Sequence, residues 1–305
     1  MKSAPWYRQC EKMRRHFYQL DVFTDKPLAG NPLAVITDGD GLSPRRMQAI
    51  AREMNLSETV FVQKPTGNRA LARLRIFTTQ RELPLAGHPV IGTWFLLAQL
   101  GVVPAQEGGV HVLQQTGAGV LPVEITFHEG RPLRVAMTQK QAEFRAARMD
   151  RGALARALAL GPRDFDPSLP IECVSTGIFN LIVPLRRRSA LQSIEPNPAA
   201  LRSVLRDSGN MAYCFTAESG NTVFARGILT WAIGEDPATG SAAGSLGAYL
   251  VHQGRLKLAT PLEIHQGIEM QRPSRIRVEV LAQHGKLVPR VSGTAVNIME
   301  GFLEA

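Results

Sequence analysis

Two stretches of this chain match each other at a constant offset of 153 residues: PLAGHPVIGTWFLLAQLG from Pro84 and PATGSAAGSLGAYLVHQG from Pro237. Proline falls on proline, Gly87 on Gly240 and Gly101 on Gly254. Self-similarity of this kind limits the fold more than any single motif, because each copy must form the same unit. Each stretch reads as a helix of small and apolar residues, reached through a glycine turn and closed by a C′ glycine. Upstream, SPRRMQAIAREMN from Ser43 aligns with NPAALRSVLRDSGN from Asn197 at an offset of 154. Both open on an N-cap residue followed by Pro at N1, and Met47, Ile50 and Met54 fall at helical spacing. Short β-rich runs, TVFVQ and AYCFTA, follow these helices, and RLRIF and RGILTWAI lead into the glycine turns. The chain therefore reads as two copies of one α/β unit.

With 305 residues, 44% of them hydrophobic, the chain is long enough for a large core and for two domains. The sequence predicts a basic extension over residues 1–15, MKSAPWYRQCEKMRR, a first domain over 16–133 and a second over 134–289. The crossover is placed at about 130–140, ahead of the loop GPRDFDPSLP. The closing strands, 290–305, follow the completed second copy and are expected to return to the first domain.

Composition excludes several classes. Apolar runs such as Ile91 to Leu100 are far shorter than the roughly 20 residues of a membrane-crossing helix. The extension lacks the apolar stretch of a secretory signal. Cys10, Cys173 and Cys214 are odd in number and widely spaced, which suggests neither a disulfide framework nor a zinc site and fits a cytoplasmic setting. The formal charge of +9 attracts anions, but the basic residues are scattered without interleaved aromatics. A small acidic metabolite is the expected partner, and specific nucleic-acid binding is not. The glycine turns match neither GxGxxG nor GxxxxGK[ST], and no metal cluster is evident, so no cofactor is expected.

A helix apolar on nearly every face is buried, and its first-turn N–H groups need partners. Two such helix starts are candidate carboxylate or oxyanion sites. The polar residues there sharpen the reading: His88 follows Gly87, Ser241 follows Gly240, and Glu235 and Asp236 precede the second turn. His88 and Ser241 are equivalent under the repeat. Glu58, in LSETVF, has Met211 as its counterpart, so only one copy carries this carboxylate. That asymmetry suits a one-base reaction. Phe179, Phe215 and Trp231 are pocket or core residues, Glu235 is a carboxylate favoured by the helix dipole, and His265, ahead of a QG turn, is the other histidine of interest. The remaining histidines read as surface or packing residues.

Five stretches, DVFTDKPLAGNPLAVI, MQAIAREMNLSETVFV, RIFTTQRELPLAGHPVIGT, EDPATGSAAGSLGAYL and HQGIEMQRPSRIRVEV, resemble the PhzF-like family of phenazine-biosynthesis isomerases. The resemblance runs from about Phe17 to the C-terminus. It implies an α+β fold of the diaminopimelate-epimerase type, two pseudo-symmetric domains that are each a curved mixed sheet around a central helix, with a site enclosed by both. Where that epimerase has two cysteines, this chain has Ala86 and Thr239, which disfavours a two-thiol racemase or epimerase. By motif, the general acid/base falls on Glu58, and the groups that hold substrate and assist catalysis fall on His88, Asp236 and Ser241. Ser57, Gly87 and Gly240 are expected as substrate-binding neighbours. The implied reaction is a cofactor-independent proton shift, similar to isomerisation of trans-2,3-dihydro-3-hydroxyanthranilate, by a homodimeric enzyme. A non-thiol epimerase or racemase and a non-catalytic metabolite-binding module are the alternative readings.

Overall fold

The computed structural model describes residues 14–218, 220–230 and 234–305. Cys10 and Trp231 lie outside this set, as does the extension up to residue 13; Arg14 and Arg15 open the first strand. Two compact units emerge. The first takes the chain up to Leu28, Pro32–Ala136 and Thr294–Ala305; the second takes Ala29–Asn31 and Met137–Gly293.

In the first unit, the strand Ala295–Glu304 pairs antiparallel with Arg14–Val22, which also pairs with Asn31–Ile36. Asn31–Ile36 runs parallel to Glu58–Gln63, which pairs antiparallel with Ala72–Phe77. Ala72–Phe77 then pairs parallel with Gly108–Thr116, and two antiparallel steps follow through Gly119–His128 to the run 131–136. The second unit repeats this order with Glu143–Ala146, Glu172–Ser175, Phe179–Pro184, Met211–Ala217, Thr222–Leu229, Leu262–Gln266, Ser274–Gln283 and Lys286–Gly293. The sense of pairing repeats from the first parallel step onward. A two-residue strand folds back before each glycine turn: Glu82–Leu83 on Ala72–Phe77 and Glu235–Asp236 on Thr222–Leu229.

The two matching stretches form the helices Gly87–Gln99 and Gly240–His252. The first buries every residue from His88 to Ala98, and the second buries Gly240 and Ala242 to Leu250, as a helix without a polar face must. Glycine lets sheet and helix approach closely. A Cβ on Gly92 would stand 2.6 Å from Val22 Cγ2, and one on Gly247 would stand 2.6 Å from Val278 Cγ1.

Each unit carries an amphipathic outer helix with a side-chain cap. Ser43 accepts from the Arg46 amide at the start of Pro44–Met54, and Asn197 accepts from the Ala200 amide at the start of Pro198–Leu205. Met47 and Ile50 pack with Ile36, Phe61 and Phe77 in the first unit. Leu201 and Leu205 pack with Leu154, Leu181 and Ile228 in the second. Each such side chain contributes about 2 kcal/mol relative to exposure. Cys173 and Cys214 are buried free thiols. Among the described residues no helix is long and apolar enough to cross a membrane.

Candidate active site

Local structure places the sequence-selected residues. The Pro44–Met54 helix ends on Asn55 in the left-handed conformation, φ 52°. The chain turns there and reaches Glu58 as the first residue of its strand, with Ser57 half-buried beside it. His88 is the second residue of the Gly87–Gln99 helix. Its Nε2 lies 3.4 Å from Glu58 Oε2, with side-chain exposures of 8% and 17%. Burial pushes the His88 imidazole down to about 3, so the contact joins a neutral ring and a carboxyl group and is not an ion pair. His88 Nε2 is buried without a hydrogen bond, which leaves an unused polar atom directed at the acid/base candidate. Ala86 offers no side-chain cap, and Pro89 has no N–H, so the amides of Gly87 and His88 are the donors of this helix start.

The second unit places a different set at the equivalent point. Asp236 closes its two-residue strand and accepts from Thr239 Oγ1 at 2.6 Å and from Asn31 Nδ2 at 2.8 Å. Desolvation raises its carboxyl to about 6, against the lowering effect of bonds from Thr239, Ala238 and Asn31. Thr239 stands at the cap of the Gly240–His252 helix without capping it, because its hydroxyl is committed to Asp236. The amides of Gly240, Ser241 and Ala242 therefore begin the helix without a side-chain partner. Ser241 is half-buried, and its carbonyl accepts from Thr176 Oγ1 and Ser245 Oγ.

Several residues differ from their sequence reading. Glu235 is held by a two-pronged bond from Arg226, at 2.9 and 2.7 Å, and this ion pair, rather than the helix dipole, accounts for it. Glu82 is gripped in the same way by Arg75, at 2.8 and 2.7 Å, so the fork is a duplicated brace of the short hairpin. His265 pairs with Glu263 at 2.7 Å and stacks on Phe224. Its neighbour Gln266, like Asn31, is hydrogen-bonded to the candidate residue Asp236 and was not singled out by the sequence. Both lie within quoted motif stretches, but their partners are 27 to 205 residues away. Phe215 is core, while half-buried Phe179 lies under the Arg145 guanidinium at 4.0 Å. Arg145, Arg148, Phe179 and Arg206 line an open cleft of about 800 Å³ that includes neither Asp236 nor Ser241. Among the described residues no group of three or more His, Cys, Asp or Glu side chains is arranged to hold a metal ion.

Similarity to known proteins extends along almost the whole chain. The family model described as phenazine biosynthesis-like protein matches residues 20–301. An uncharacterized isomerase of Mesorhizobium japonicum is 36% identical over 301 residues, covering 95% of this chain and 98% of the relative. A trans-2,3-dihydro-3-hydroxyanthranilate isomerase of Pseudomonas fluorescens is 35% identical over 286 residues, covering 93% and 97%. The crystal structure of a Bacillus anthracis phenazine biosynthesis protein of the PhzF family superposes with a TM-score of 0.86 at 30% identity, covering 95% of this chain and 99% of that one.

Proposed function

Because the chain belongs to the phenazine biosynthesis-like protein family, we propose that it is an isomerase that moves a proton on a small conjugated amino or hydroxy carboxylic acid, with Glu58 as acid/base. The observation that carries this reading is the enclosed Glu58–His88 contact, a carboxyl group 3.4 Å from a neutral imidazole. Glu58 takes a proton from a carbon next to the π system and returns one at the far end of the conjugated unit, so no net proton is consumed. A neutral His88 can donate to, or accept from, a substrate oxygen without competing for that proton. Asp236 bonds the substrate amine or hydroxyl, and the helix-start amides with Ser241 bind its carboxylate.

The test is proton–deuterium exchange followed by NMR, with trans-2,3-dihydro-3-hydroxyanthranilate in heavy water and Glu58→Gln beside the wild type. Conversion with deuterium uptake by the wild type and neither by Glu58→Gln supports the reading. Inert wild-type protein removes that substrate and moves the assay to a panel of small amino and hydroxy acids. Inertness across the panel leaves the metabolite-binding module. The Asp236 carboxyl, titrating near 6, favours one second reading, epimerisation with Asp236 as an opposing acid. Deuterium wash-in at one carbon without bond migration identifies that case.

A further inference from the structure

We infer that Gln266 is a positioning residue that commits the Thr239 hydroxyl to Asp236, and so sets the protonation state in which Asp236 meets its substrate. The inference rests on Asp236 belonging to the site proposed above.

Four contacts converge on one side chain. Gln266 Nε2 donates to the Asp236 carbonyl at 2.7 Å and to Thr239 Oγ1 at 3.0 Å. Its Oε1 accepts from the Thr239 amide at 3.1 Å and from the Tyr213 hydroxyl at 2.8 Å. The orientation of this amide is fixed by chemistry, because a backbone carbonyl can only accept and a backbone N–H can only donate. A flipped amide would set oxygen against the Asp236 carbonyl and NH₂ against the Thr239 N–H.

One consequence reaches Asp236. Thr239 has a single hydroxyl proton. With Gln266 donating to its oxygen, that proton is directed away from Gln266 and onto Asp236 Oδ2, at 2.6 Å. A bond donated to a carboxylate favours its charged form, so this arrangement opposes the desolvation, and the neighbouring Glu235 carboxylate, that raise Asp236.

The backbone around Gln266 is constrained to the same end. Gly267 sits at φ +76°, and a Cβ there would lie 2.4 Å from the Arg272 carbonyl and 2.6 Å from the Pro237 carbonyl. Ser274 Oγ ties the Gln266 and Pro237 carbonyls together at 3.2 and 3.0 Å. Arg272 bonds the carbonyls of Ala29 and Gly30, and Asn31, next in the chain, makes the second side-chain bond to Asp236. A single turn, 267–272, thus supports both side chains that donate to the carboxylate. Gln266 itself is fully buried, and its hydrogen bonds reach Asp236 at the backbone carbonyl and through Thr239.

The experiment reads Asp236 directly. Carbon-13 NMR of aspartate-labelled protein follows its carboxyl titration without substrate, and Asp236→Asn assigns the resonance. The wild-type midpoint is expected near 6, and Thr239→Val is expected to raise it by about one pH unit. Gln266→Met should raise it comparably, and Thr239→Val with Gln266→Met together should match Thr239→Val alone. Thr239→Ser, which keeps the hydroxyl, should restore the wild-type midpoint. If Gln266→Met does not fold, Gln266→Glu is compared in two backgrounds: its added charge raises the midpoint in either, so the inference expects a smaller rise with Thr239→Val present than with Thr239 intact, and equal rises overturn it. An unmoved midpoint in the Gln266 variants, or shifts that add in the double variant, overturns the inference. The acid limb of kcat against pH, measured separately, should move with the midpoint. If the midpoint moves while turnover does not, the positioning role stands and the assignment of Asp236 to catalysis falls.

Discussion

The two units share a pairing order and a buried helix, yet their polar groups are complementary rather than repeated. Where the first unit has Glu58 opening its strand, the second has Met211. Where the second has Asp236 before the glycine turn, the first has Leu83. His88 faces a carboxyl group in one, and Ser241 occupies its place in the other. The scaffolding pairs were duplicated intact, Arg75 with Glu82 and Arg226 with Glu235, while the carboxyl groups of Glu58 and Asp236 each occur in one copy only. Duplication supplied two equivalent helix starts, and divergence at these three positions gave them unequal chemistry.

The largest expected effect tests that inequality. Glu58→Gln should lower kcat by about 10³-fold or more, whereas Met211→Leu should change it by no more than a few-fold. Similar losses in both would break the comparison, and steady-state kinetics on the converted substrate decides it.

Next comes stability against pH, where the two helix starts should act with opposite signs. Asp236 titrates near 6 when folded and 3.8 ordinarily. Between those values the folded state keeps a proton that the unfolded state has released, so raising the pH through that window lowers stability. His88 has an ordinary value of 6.5 and a folded value of about 3. The unfolded state holds the extra proton there, so stability is lost as pH falls below 6.5. In denaturant titrations from pH 4.5 to 7.5, Asp236→Asn should flatten the decline on the way up. His88→Gln should flatten the decline on the way down. Each effect is expected on the order of 2 kcal/mol; slopes that match the wild type in both variants would show that neither group titrates as burial dictates.

The braces should differ in degree. Arg226 is 6% exposed and also bonds the carbonyls of Leu191 and Ile194, while the Arg75 side chain is 13% exposed. Arg226→Met is expected to cost about 3 kcal/mol and Arg75→Met about 1 kcal/mol. Smallest and equal should be Gly101→Ala and Gly254→Ala, at about 1 kcal/mol each. Both glycines have positive φ, 75° and 68°, with open space around them. Unequal losses at these two would show that the copies have diverged in their turns as well.

The duplication was legible because helix spacing, caps and glycine stops are local signals, and Ser43, Asn197, Gly101 and Gly254 stand where those signals put them. The candidate site was chosen from the sequence as a set of residue types, without the network that connects them. Asn31 reaches Asp236 across 205 positions, and Gln266 reaches Thr239 across 27. No periodicity encodes such distances. Gln266 was hidden beside a histidine, which draws attention as a titrating group while a glutamine does not. Glu235 misled for a related reason: its position suggested the helix dipole, and only the pairing of Thr222–Leu229 with its short return strand brings Arg226 to it.

The edge strand Ala295–Glu304, which lies against Arg14–Val22, has a consequence for the order of events during synthesis. All but three residues of the second unit lie in one uninterrupted stretch, 137–293. The first unit closes only when the polypeptide has been made through residue 304. The half that is translated first is therefore the half whose first strand waits longest for its partner, held open by a contact spanning nearly the whole sequence.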